Sequence, residues 1–142
     1  MKKYVSLIAA SMLLVACQTT APVTDENPPR ATTQKSAQQV SAYLAKEFCE
    51  QGYEIKTQSS KKLIATKVMD PKTEGQRYYA DRSAGLPHHK LKVEFAKTKD
   101  GVEVIGWTGI LMNPGTAKQH DFSVVSSADG QRLQGLLNKA AR

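Results

Sequence analysis

One stretch, from Lys90 to Asn113, constrains the fold more than any other: KLKVEFAKTKDGVEVIGWTGILMN. Leu91, Val93 and Phe95 alternate strictly with Lys90, Lys92 and Glu94. Successive side chains of a strand point to opposite faces, so this pattern describes a strand with one apolar and one polar face. Asp100-Gly101 is the preferred dipeptide of a tight hairpin, and a second strand starts at Val102. Gly106 and Gly109 flank Trp107 and suggest a bulge or bend there. Asn113-Pro114-Gly115 ends the strand in a turn. An apolar sheet face needs a second layer, and the rest of the chain must supply it.

Two segments have the right periodicity. SAQQVSAYLAKEFCEQG, residues 36–52, puts Ala37, Val40, Ser41, Leu44, Ala45 and Phe48 on one helical stripe, with Gly52 as its stop. Cys49 stands at the edge of that stripe and reads as a small, mostly buried residue. Near the C-terminus, Leu133, Leu136, Leu137, Ala140 and Ala141 form a second stripe. Ser126, three residues before Asp129, begins an approximate capping box for it. Residues 53–69 read as two strands around a QSSKK turn, and HDFSVVSS as a last short strand. The expectation is an α+β domain: an antiparallel sheet of four to five strands, with an N-terminal and a C-terminal helix on one face.

Residues 70–89 interrupt this pattern. Asp70-Pro71, Gly75, Gly85 and Pro87 punctuate a segment longer than most connections, and such loops are commonly functional. Within it, RYYADR combines residue types enriched at interface hot spots. Tyr78 and Tyr79 offer rigid rings with a polar tip, and Arg77 and Arg82 planar forks for carboxylates or phosphates. Trp107 joins them as a candidate platform, its ring left uncovered by the two glycines. These five residues are the candidate partner-binding set.

Chemistry of other kinds finds less support. His88-His89 are neighbours on an extended segment and face opposite ways, and no Cys-x-x-Cys or His-Glu-x-x-His spacing accompanies them. They and His120 read as surface histidines, so no metal and no cofactor are expected. Asp70, Glu74 and Asp81 lack the signs of a paired acid and base, and no nucleophile or phosphate-loop motif occurs. A non-enzyme is expected. A cluster of Asp81, Arg82 and His88 in one pocket would argue the reverse.

The N-terminus opens Met1, Lys2, Lys3 and continues YVSLIAASMLLVA, a basic start with an apolar centre too short to span a membrane. Leu14-Val15-Ala16-Cys17 follows the pattern of Leu, two small or aliphatic residues, and Cys. It resembles the lipobox of bacterial lipoproteins. The resemblance implies a signal peptide over 1–16, diacylglycerol on the Cys17 sulfur and cleavage before it. Gln18, where an Asp would retain the protein in the inner membrane, implies the outer membrane, at its periplasmic face. Residues 17–35 then form an acylated cysteine and a proline-rich, disordered tether, and 36–142 a periplasmic domain.

Without the leader, 18 Lys and Arg face 13 acidic residues, a balance of +5. Outside the cytoplasm this points away from nucleic acid and toward anionic surfaces. The function expected is an accessory lipoprotein with a non-catalytic binding or assembly role, its partners the membrane and an envelope protein or the cell wall. The alternative is a protective lipoprotein, an inhibitor of a toxin or hydrolase or a surface-exclusion factor against phage or plasmid.

Overall fold

A computed structural model of the chain describes residues 21–142. The leader, Cys17 and Gln18 lie outside the described residues. Among the described residues the fold is α+β, with six antiparallel strands and three helices in the order β1 (Arg30–Thr33), α1 (Ala37–Glu50), β2 (Glu54–Gln58), β3 (Lys62–Val68), α2 (Glu74–Ala80), β4 (His88–Thr98), β5 (Gly101–Met112), β6 (His120–Ser123) and α3 (Ala128–Ala141). Among the described residues no helix is long and apolar enough to cross a membrane.

The hairpin read from the sequence is the spine of the sheet. β4 and β5 pair over their full lengths, from His88↔Leu111 to Thr98↔Gly101. That register is unbroken through Lys92↔Trp107, so the bulge expected beside Trp107 is not there. The irregularity falls in β2, between Ile55 and Thr57. β3 joins β4 from Lys62↔Glu94 to Val68↔His88, and β2 closes that edge.

Six strands replace the expected four to five because two short ones dock in turn on the other edge of β5. β1 covers Val102–Ile105 and β6 covers Gly109–Met112. Between them the Gly106 amide donates to the Pro29 carbonyl at 2.7 Å. The stretch expected to be a free tether is therefore part of the domain from Val23 onward. Val23 and Pro29 are buried, and Ser123 Oγ donates to the Asp25 carboxylate. Arg30 exchanges two hydrogen bonds with the Gln134 side chain, at 2.9 and 2.8 Å, and Thr33 Oγ1 donates to the Ala141 carbonyl at 2.8 Å.

Val40, Leu44, Ala45 and Phe48 of α1 and Leu133, Leu137 and Ala140 of α3 meet Leu63, Ala65, Leu91, Val93, Phe95, Val102 and Val104 in one core. α1 starts with a full capping box, Ser36 with Gln39. α3 is capped by Ser127 rather than Ser126, its hydroxyl accepting from the Asp129 amide. Cys49 is exposed, against expectation. It lies one residue, or 100° of turn, past Phe48, beyond the flank that the sheet covers.

Candidate functional site

The segment 70–87 is ordered by local bonds rather than by sheet pairing. Met69 N donates to the Pro87 carbonyl at 2.9 Å and closes its base. Ala84 N donates to Asn113 Oδ1, and Asn113 N to Ser83 Oγ, both at 2.8 Å. Asn113 takes a positive φ of 50° where the strand turns away. Seven residues of the segment wind into α2, which the irregular pattern did not announce.

The candidate residues of this segment divide by role. Tyr79 packs inward, 5.6 Å from the Phe122 ring, in a second core with Met69, Ile110 and Met112. Arg77 Nε donates to the Pro71 carbonyl at 3.3 Å and ties down the turn before α2. Tyr78 stands outside, 56 % exposed and edge-on to Tyr79 at 5.2 Å. The Arg82 guanidinium lies 3.7 Å from the centroid of the Tyr78 ring, and its Nη1 donates to the Tyr78 carbonyl at 2.7 Å. A planar cation on an aromatic face is favourable by about 0.5–1 kcal/mol at an exposed site. Arg82 is thus held in one pose, and its remaining donors have no partner among the described residues.

Trp107 does not join this group. It occupies an odd position of β5, whereas Ile110 and Met112, under Tyr79, occupy even ones and face the opposite way. Its half-exposed ring lies along its own strand over Gly109, with the Lys92 ammonium 5.8 Å from the ring. Gly106 plays a different part: a Cβ there would meet Leu133 at 2.9 Å and Leu137 at 3.2 Å, so its bare backbone seats α3. One of the two glycines serves the ring and the other the core.

A second site was not foreseen. Beside α2, a cleft of about 620 Å³ opens between Gln51 and Tyr53, after α1, and the first turns of α3. His89, Lys67, Asp70, Gln76, Thr108, Asp129 and Arg132 line it. Asp81, Arg82 and His88 are not among its walls. The register explains the exchange of histidines: His89 stands between Lys67 and Ile110 on the core side, and His88 between Val68 and Leu111 on the other.

Burial holds the His89 imidazole below its ordinary pKa. Asp129 opposes that effect, and the Lys67 and Arg132 cations add to it. Burial first, then Asp129, pushes the Tyr53 phenol above its usual value, and Arg132 opposes them. The charges around them are already engaged. Arg132 pairs with Asp129, and Lys67 Nζ donates to the Gln51 carbonyl at 2.7 Å above the Tyr53 ring. The arrangement offers an imidazole of lowered proton affinity beside one ion pair and one lysine bonded to a carbonyl. No three His, Cys, Asp or Glu side chains gather as metal ligands among the described residues. The signal for this cleft lies in five separated stretches, and only His89 and Asp70 were conspicuous in sequence.

No protein-family model, no curated protein and no solved structure matches the chain.

Proposed function

We propose that the chain is an outer-membrane lipoprotein, held at the periplasmic face by acyl chains on Cys17, with a non-catalytic binding or assembly role in the cell envelope. The contact surface is the segment from Val68 to Leu86. One observation carries this part of the reading. Among the described residues the large apolar side chains that stand exposed are Val68 at 52 %, Tyr78 at 56 % and Leu86 at 45 %, and all three fall in that segment. Large exposed apolar groups are what a contact surface offers a partner, and this stretch of the chain supplies them from the end of β3, from α2 and from the loop before β4. Arg82, stacked on Tyr78, adds a preorganised fork for a carboxylate on the partner.

The layer arrangement belongs to the same proposal. α1 and α3 share one face of the sheet, which leaves the Trp107 face open. Gly106 beneath Leu133 and Leu137 supports it, as do the half-exposed Lys90, Lys92 and Trp107 on the alternate positions. Anchoring rests on the leader and the Leu14–Cys17 motif alone.

Two measurements test the proposal. Mass spectrometry of the N-terminal peptide from the native host should find acylated Cys17 and no leader; a bare sulfur would end the membrane reading. A photo-crosslinker at position 78 of the full-length protein should capture one envelope component, and Arg82→Ala should cut that capture about tenfold. Capture of a secreted hydrolase or a phage protein instead would replace assembly with protection.

A further inference from the structure

At the opposite end of the sheet from α2, β4 outruns its neighbour. β3 begins at Lys62, opposite Glu94, while β4 continues to Thr98. The step this leaves, beneath the start of α1, is a groove of about 700 Å³. Its apolar lining beneath α1 comes from Ala37, Phe95 and Val102, supplied by three separate elements, while Ile105 borders it from the other face of the sheet. Phe95 and Val102 are buried members of the main core, so the groove bottom is fixed by packing that the domain needs anyway.

Lys61, Lys62 and Lys97 also line the groove. Among the described residues none of these three ammonium groups has a carboxylate within 4.0 Å. Glu94, the one acid that lines it, is paired with Lys92 at 3.6 Å. The other lysines of the sheet differ in this respect. Lys56 and Lys90 are paired with Glu54 and Asp121, and Lys67 is bonded to a carbonyl. An apolar channel with unpaired cations at its rim is complementary to a molecule with a hydrocarbon body and one anionic end.

We infer that this groove binds a free, single-chain anionic amphiphile, a fatty acid or its close analogue, with the chain against Ala37, Phe95 and Val102 and the head between Lys61 and Lys97. Each methylene moved from water to the groove contributes about 0.8 kcal/mol, and the lysines select the anion. A lipid still seated in a bilayer would have to withdraw its chain from the bilayer to reach this recess. The site lies apart from the Tyr78–Arg82 surface and does not depend on membrane anchoring.

The test uses the full-length protein in nanodiscs of zwitterionic lipid. A diazirine-bearing palmitate is the probe, compared with the corresponding neutral alcohol and with phosphatidylglycerol carrying the same diazirine chain. After irradiation, labelled positions are mapped by mass spectrometry. The expected result is labelling by the carboxylate within residues 95–105, about tenfold weaker with the alcohol and with the double variant Lys61→Glu/Lys97→Glu. Both replaced residues are surface lysines without ion-pair partners, so the variant should fold, and its thermal melt confirms that. Three outcomes would overturn the inference. They are equal labelling by acid and alcohol, labelling unchanged in the folded double variant, and labelling from the phospholipid alone. Loss of capture at position 78 would leave this result untouched, and the two readings fail independently.

Discussion

Two glycines on one strand give a prediction in which the same substitution has two outcomes. Neither Gly106 nor Gly109 has a backbone that only glycine adopts, so alanine is tolerated by φ and the cost is one of space. At Gly106 a methyl would press on the branched tips of Leu133 and Leu137, at 2.9 and 3.2 Å. Overpacking of this kind costs about 1–3 kcal/mol, and the stiffer unfolded chain returns about 0.4–1. A net loss of about 1 kcal/mol is expected. At Gly109 the methyl meets the Trp107 ring and the Phe122 carbonyl, both well inside contact distance. The carbonyl belongs to β6, which the pairing Gly109↔Ser123 holds in place, so the ring must move. An indole that gives up about 100 Å² of contact loses about 2.5 kcal/mol in addition to the crowding. Gly109→Ala should therefore cost about 3 kcal/mol or more. Trp107 is the only tryptophan, so its emission reports the event directly. Urea unfolding followed by fluorescence should show Gly109→Ala with a native emission already shifted to the red and a much lower midpoint. Gly106→Ala should keep the native emission. If Gly109→Ala is no less stable than Gly106→Ala and its emission is unchanged, the ring does not lie on that strand.

A chain starting at Gln34 lacks β1, the buried Val23 and Pro29 and the bonds to Gln134, Gly106 and Ala141, and should lose about 3 kcal/mol of stability; an unchanged thermal midpoint would restore the tether. His89 has a depressed folded pKa, so the unfolded chain takes up the proton first as pH falls. Its stabilisation is complete above about pH 6.5 and is lost as pH falls through the folded value; urea midpoints between pH 8 and 5 should fall less steeply in His89→Gln than in the parent. Ser41 is buried in α1 and its hydroxyl has no hydrogen-bond partner, so Ser41→Ala should raise stability by about 1 kcal/mol, and a fall in the melting temperature would show that the hydroxyl is satisfied.

What the sequence disclosed follows the range of the physics involved. The β4–β5 hairpin was legible because its determinants are local: alternation of period two and an Asp-Gly turn. The stripes of α1 and α3 were legible for the same reason. β1 was not, because Arg30-Ala31-Thr32-Thr33 carries no strand pattern of its own and is extended by the open edge of β5. α2 escaped because a helix of seven residues needs no stripe when one side chain, Tyr79, fixes it to the core. Of the recognition set, Tyr78 and Arg82 stack on each other at the surface, Arg77 is tied to Pro71 and Trp107 lies over Gly109, while Tyr79 was placed by a partner far away in the chain, Phe122. The His89 cleft required β3, β4, α1 and α3 to be assembled before it existed.

The early docking of the chain at Val23 changes the geometry of any anchor upstream. A free run to residue 33 would let the domain wander some 50 Å from the bilayer. With Val23 buried in the domain, five residues separate it from Cys17, a leash of at most about 20 Å. An acylated Cys17 would then keep this domain grazing the lipid surface, and any partner would have to be met there rather than across the periplasm.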